Sequence, residues 1–348
     1  MTAGQADDMR PSFHPRLINA PVEDPGLFIP FLFQKRAFLF DLGDLSSLSS
    51  RDLLKISHVF VTHAHMDHFI GFDRLLRLFL GRSKTLNLFG PKGFLRHVKG
   101  KLSGYSWDLV KNYENPLVLK VTEVTEAHLV TREFACRDGF LPGKPRSRPF
   151  SETLLEEPPL TVSTSIFDHS IPCLGFSMKE RFHVNVKKDA VRAMGLDIGP
   201  WLREFKESLF ASKEPSTFLT IQRGQKTLRI RLGDLADQIA MITPGQKITY
   251  ITDIGFSLLN EAKAVTLAMD SDHLFIEASF LEKEKCIAFQ KHHLTASQAG
   301  TIAGKARVKQ FTLFHFSPRY TEEIHDFEKE AKKAYQDSLA SRTRIPQD

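Results

Sequence analysis

Apolar residues recur along this chain at two spacings, and the switches between them mark its elements. From Leu27 the stretch LFIPFLFQKRAFLFDLGDL gives two apolar runs parted by Gln34-Lys35-Arg36, which predicts a β-hairpin ending at Asp41. SSRDLLKI then predicts a short helix with Ser49 or Ser50 as N-cap, and HVFVTH, His58 to His63, reads as a strand. GFDRLLRLFLG carries apolar residues at helical spacing and stops at Gly81. TLNLFGPKGFLRHV reads as a strand, a Gly-Pro turn and a helix. This alternation of strand and helix argues for a layered α/β domain.

The middle of the chain changes character. LPGKPRSRPFSETLLEEPP, Leu141 to Pro159, is rich in proline and charge and reads as a loop, after which LTVSTSIFDH resumes a strand. KKDAVRAMGLDIGPWLREFKESL predicts two short helices separated by Gly-Pro, and FLTIQRGQKTLRIRLG predicts a hairpin. Residues 180–245 therefore read as an elaboration inserted in the core fold. Alternation returns with the strand KITYITD, the helix SLLNEAKAVTLAMD, the strand HLFIEASF, the helix LTASQAGTIAGKARV and the strand QFTLFHFS. The expected organisation is an N-terminal extension over 1–25, a core domain over 26–320, and a C-terminal amphipathic helix and tail over 321–348.

Composition narrows the class. With 348 residues and 42% hydrophobic content the chain can bury a substantial core. No stretch reaches the apolar length of a membrane-spanning helix, and the opening MTAGQADDMR has no apolar block, so a cytoplasmic location without membrane partners is expected. Cys136, Cys173 and Cys286 are odd in number and widely spaced, so neither a disulfide framework nor a thiolate zinc site is indicated. A metal here would rest on histidine and carboxylate. The net charge of +6 and sequence pI near 9.1 tilt the chain towards polyanionic partners, with basic clusters at Gly81–Lys101 and Leu141–Phe150.

Such ligands crowd into VFVTHAHMDHFIGFDRLL, where His63, His65, Asp67 and His68 fall within six consecutive positions. In a chain with 14 histidines this pattern arises by chance on the order of once in a thousand such chains. If the strand runs on into the cluster, His63 and His65 share a face, and a turn beyond them brings Asp67 and His68 to a neighbouring point. That arrangement suits two metals better than one. His58, His97, His128, His183 and His273 read as structural or surface residues.

THAHMDH resembles the signature motif of the metallo-β-lactamase superfamily, whose fold is a four-layer αββα sandwich with metals at one edge of the sheets. FDHSIPCLGF is similar to the family's third motif, YITDIG to the motif supplying a bridging carboxylate, and LFHFSPRY to the last metal motif. HLTASQAG resembles a histidine segment of the ribonuclease Z branch, and LFGPKGF, GLDIGPWLREFK and IEASF extend the likeness from Phe38 to Tyr320. The resemblance implies an α/β sandwich with an inserted element between the third and fourth metal motifs. It implies two divalent metal ions, Zn²⁺ with Mn²⁺ or Fe²⁺ as alternatives, one on His63, His65, His169 and Asp253, the other on Asp67, His68, Asp253 and His315. His169 and Asp253 lie 84 positions apart (253 − 169), room for the arm that grips transfer RNA in ribonuclease Z. Departures are LFDLGDLSSLSS in place of a glycine-rich run after Phe-Asp, and Ala64 and Met66 inside the cluster.

The implied chemistry is attack on phosphorus by a metal-bridging hydroxide that Asp67 orients. His293 or its neighbour His292 would enter the site, and His293 is the candidate proton donor, with Glu277 orienting it and Arg319 clamping a substrate phosphate. The substrate would be RNA, such as transfer-RNA 3′ ends, or a small phosphodiester, and the protein a homodimer as its relatives often are. The alternative is a hydrolase of the same fold acting on a small ester, thioester, lactone or cyclic phosphodiester.

Overall fold

A computed structural model describes residues 12–32, 34–114, 117–224, 226–320 and 323–342. Residues 1–11 of the expected N-terminal extension and the last six residues of the tail lie outside this set. The described chain divides into a larger unit (13–154, 163–177 and from Ile248 onward) and a smaller one (Ser12, Leu155–Val162 and Met178–Lys247).

In the larger unit, eight strands form one sheet in sequence order: Arg16–Leu17, Leu27–Pro30, Ala37–Phe40, Ile56–Phe60, Lys84–Pro91, Leu117–Val124, His128–Ala135 and Arg146–Pro149. Its centre is parallel from Ala37–Phe40 through Leu117–Val124, and its edges are antiparallel. A six-stranded sheet runs in the order Gln310–Phe314, His273–Glu277, Lys247–Ile251, Pro172–Glu180, Leu160–Asp168, Thr153–Glu157, with its first three strands parallel.

Alternation along the strands explains the layers. Ala37, Leu39, Val59, Val61, Leu86 and Leu88 pack with Phe72, Leu75, Phe79, Phe94 and Val98 of the helices Phe72–Phe79 and Phe94–Ser103. The intervening Phe38, Phe40 and Phe60 face the other way. Phe40 and Phe60 each lie 5.6 Å from Phe176, and Phe40 lies 5.9 Å from Tyr250, joining the two sheets through rings. Beyond the second sheet, Ile251, Leu274 and Ile276 pack with Ala264, Ala268, Ala299, Ile302 and Ala303 of the helices Leu258–Ala268 and Ala296–Lys305. The order is helix, sheet, sheet, helix, the expected αββα sandwich.

The C-terminal helix Ile324–Arg342 lies on Ala296–Lys305 at very short range. A Cβ on Gly300 would meet the Ala331 carbonyl oxygen at 2.1 Å, and one on Gly304 the Tyr335 carbonyl oxygen at 2.6 Å. Only glycine permits that approach.

The Leu141–Pro159 reading requires correction. This segment holds the strands Arg146–Pro149 and Thr153–Glu157 rather than a continuous loop. Both are edge strands, where proline and charge are tolerated because one side of the backbone needs no partner. The strand expected at His58–His63 runs instead from Ile56 to Phe60, so the histidines rise from a loop and the one-turn helix Met66–Phe69. Ser49 is the N-cap of Ser50–Leu53.

The smaller unit has its own core of Val184, Val191, Phe205, Leu219, Ile221, Leu235 and Ile239. It contains the antiparallel pairs Phe182–Val186 with Ala240–Pro244 and Phe218–Arg223 with Lys226–Arg231. The helices Lys188–Ala193 and Trp201–Phe210 flank the Gly-Pro element, as the sequence predicts, and a third helix spans Leu232–Ile239.

Candidate metal centre

The predicted ligands sit at the C-terminal ends of strands. His63 to His68 follow Ile56–Phe60, His169 follows Leu160–Asp168, Asp253 follows Lys247–Ile251, and His315 follows Gln310–Phe314. The strands before His63, Asp253 and His315 each run parallel to a neighbour, which gathers these ends at the edge where open α/β sheets build their sites. Asp41, Asp253, His292 and His315 all have left-handed backbone, with φ of 60°, 52°, 58° and 60°. Each such turn in a non-glycine residue costs about 1–2 kcal/mol, a cost borne where the chain must bend sharply.

The side chains converge in overlapping groups. One potential ligand atom from each of His63, His65 and His169 lies within 4.8 Å of the others, and the same holds for Asp67, His68 and His315. Asp253 joins His63 and His68 in one further group and His169 and His293 in another, while Glu277, His293 and His315 form a fifth. Of the seven predicted ligands His63, His68, His169 and Asp253 are buried, Asp67 and His315 are part-buried and His65 is exposed.

Hydrogen bonds at the far side of each ring decide which nitrogen faces inward. The His68 Nδ1–H donates to Asp41 Oδ2 at 2.9 Å, leaving Nε2 3.0 Å from Asp253 Oδ2 and 3.4 Å from Asp67 Oδ2. The His169 Nδ1–H donates to the His292 carbonyl at 2.8 Å, which turns its Nε2 towards Asp253 Oδ1 at 3.8 Å. Asp41 is itself buried and accepts from the Thr62 N–H, the Thr62 hydroxyl and the Tyr250 hydroxyl. Sequence reasoning took Asp41 only as the end of a hairpin. Its signal was a carboxylate directly after an apolar strand, and its partner Tyr250 lies 209 positions away.

Charge is tightly balanced. Burial disfavours ionised Asp253, yet His315 and His68 hold its carboxyl well below the usual range. Asp67 is depressed in the same sense, burial being outweighed by the hydrogen bond from His315 and the charge of the neighbouring His68. Burial lowers His63 to about 2, with the neighbouring His68 adding to the shift, so this ring is neutral. His315 is pushed up to about 10 because Asp253 and Asp67 outweigh burial.

A cation meets the same demand for positive charge, and two observations test the fit. The His68 Nε2 and His315 Nδ1 are buried and make no hydrogen bond, although carboxylate oxygens stand at 3.0 Å and 3.5 Å at unsuitable angles. The donors are imidazole nitrogen and carboxylate oxygen, the ligand types of zinc, manganese and iron sites. The residues fit a metal centre.

Beside it, Glu277 is fully buried. It accepts the Ile254 N–H at 2.7 Å, the Ser279 hydroxyl at 3.0 Å and the His293 Nδ1–H at 2.8 Å. Burial raises its pKa, but His293 brings it down to about 2, and Glu277 in turn raises His293 against burial. Of the adjacent pair, His293 offers its ring to the cluster, whereas His292 contributes its carbonyl to His169. Glu330 of the C-terminal helix accepts the N–H groups of Glu282 at 2.9 Å and Ser297 at 3.0 Å, closing the base of the excursion that carries His293. Arg319 is directed elsewhere, to Glu284 at 3.1 Å and over the Phe280 ring.

Residues 24–81 match the Metallo-beta-lactamase superfamily. Ribonuclease Z of Deinococcus radiodurans is 30% identical over 291 residues, 82% of this chain and 83% of that protein. This chain belongs to the ribonuclease Z family. Solved structures of similar fold include the metallo-beta-lactamase fold protein YhfI from Bacillus subtilis, with TM-score 0.51, 14% identity and coverage of 90% of this chain and 86% of that one. Human tRNase Z, short form, has TM-score 0.50 at 18% identity, covering 89% of this chain and 93% of that one. As a ribonuclease Z family member the chain is a metal-dependent hydrolase working with divalent ions. Among the described residues no helix is long and apolar enough to cross a membrane.

Proposed function

We propose that this chain is a dinuclear phosphodiesterase, an endoribonuclease acting on transfer-RNA 3′ ends or related RNA. The observation carrying this reading is the pairing of two ligand groups that share Asp253 with a histidine-carboxylate pair, His293 and Glu277, at their margin. One cation would be held by His63, His65, His169 and Asp253, the other by Asp67, His68, His315 and Asp253, with Zn²⁺ the first choice and Mn²⁺ or Fe²⁺ possible by the same ligand chemistry. Bound there, the cations neutralise phosphoryl charge and acidify water.

The chain's own residues supply the remainder. Asp67, whose side chain is 42% exposed, orients the attacking water through its carboxylate. A ribose oxygen is a poor leaving group and needs a proton. Because the His293 Nδ1–H is bonded to Glu277, Nε2 is the atom that delivers it. Glu277 keeps His293 protonated and fixes its ring. Arg319 would take a substrate phosphate only by exchanging Glu284 for it.

Charge supports an RNA substrate. Residues 178–247 hold thirteen lysines and arginines against eight acids, five of the chain's net six positive charges. This inserted element is proposed to grip the RNA backbone, and a cytoplasmic homodimer is the proposed working form. The test is incubation of a precursor transfer RNA bearing a 3′ trailer with the protein and Zn²⁺ or Mn²⁺, beside bis-aryl phosphodiester, thioester and lactone substrates. Endonucleolytic release of the trailer is expected. Turnover confined to the thioester or lactone would refute the proposal.

A further inference from the structure

The helix after the Asp253 loop begins in an inverted manner. Leu258 and Leu259 are 81% and 64% exposed, while the polar Asn260 is buried at 2%. Burying an amide is unfavourable unless its hydrogen bonds are met. Here Asn260 Nδ2 donates to the Asp168 carbonyl and to the Gly255 carbonyl, both at 2.7 Å, and Oδ1 accepts the Asp168 N–H at 3.2 Å. Two carbonyls can only accept, so the orientation of the amide follows from its partners.

These partners belong to two ligand loops. Asp168 immediately precedes His169, and Gly255 lies two residues beyond Asp253. The Gly255 N–H also donates to the Asp168 carbonyl at 3.0 Å, so the loops are stitched directly and through one side chain. Asn260 is anchored in turn by the helix cap, its N–H donating to the Ser257 hydroxyl at 3.1 Å. We propose that Asn260 is a positioning residue that fixes the spacing of His169 and Asp253 and thereby sets the divalent-cation affinity of the group they form.

This inference rests on the ligand roles given to His169 and Asp253 above. An aspartate at 260 has the same shape but no N–H, and it sets a carboxylate oxygen against two carbonyls. A serine keeps one donor on a shorter stem.

The experiment is titration of the full chain, stripped of metal by a chelator, with Co²⁺. Visible absorption reports the ligand field and competition with a chelator reports affinity, and the spectrum at saturating Co²⁺ is a readout that scaffold stability alone would not move. N260D is expected to weaken Co²⁺ binding about 10–100-fold, as loss of groups that orient metal ligands does, with an altered spectrum and N260S in between. If N260D does not fold, N260S carries the same test. D253N and H169A serve as controls. The proposal is overturned if both position-260 variants bind Co²⁺ like the parent while the controls lose affinity. If the controls also bind normally, the ligand assignment itself is wrong and this inference falls with it.

Discussion

The centre has a contiguous half and a dispersed half. His63, His65, Asp67 and His68 stand on one loop and one turn of helix, so local backbone geometry sets their relation to one another. His169, Asp253, Glu277, His293 and His315 each come from a different segment, and only the second sheet and its helices bring them together. The difference teaches where each half is vulnerable. The loop fails through its own side chains, while the dispersed half also fails through residues that merely hold loops in place.

The sharpest contrast between the halves is Asp67→Ala against Asp253→Ala. Both should reduce phosphodiesterase turnover to background without loss of fold. Metal analysis should find one cation missing in the first and both weakened in the second, since in the proposed assignment only Asp253 serves both cations. Equal stoichiometry would remove the distinction. His293→Ala should come next, slowing substrates with poor leaving groups by about 10²–10⁴-fold while activated aryl phosphates lose far less. A uniform loss on both would show that His293 does not deliver the proton.

Glu277→Gln should have a smaller effect, read in the pH profile. In the proposed mechanism the acid form of His293 is the active one, so activity with poor leaving groups falls as pH rises through its pKa. Glu277 raises that pKa, so a neutral glutamine must lower it and move the alkaline limb to lower pH. An unmoved limb would assign it to another group. The smallest change should come from His292→Gly, which keeps the carbonyl that orients His169 and relieves a left-handed φ, against a similar loss of chain entropy. Activity should persist, with stability within about 1 kcal/mol of the parent by thermal unfolding.

Legibility followed the same division. The contiguous half could be read from spacing alone, because six neighbouring positions carry their own improbability. His169, Asp253 and His315 are single polar residues at strand ends, and only motif resemblance lifted them out of ordinary turns and caps. Asp41, Thr62, Tyr250, Asn260 and Glu330 escaped notice because their roles come from partners distant in the chain. The alternating α/β pattern was clear wherever strands were central and apolar. It failed at Arg146–Pro149 and Thr153–Glu157, where edge strands need neither an apolar run nor freedom from proline.

Glu330 and the close helix contact at Gly300 and Gly304 give the site a dependence on time as well as space. A chain emerging from the ribosome has its histidine-rich loop within the first fifth of synthesis, yet the segment bearing His293 is clipped shut only after Glu330 has been made. Domains fold as units, so an unfinished copy, or one cut short before that helix, would hold its first four candidate ligands without the assembled site that breaks a phosphodiester.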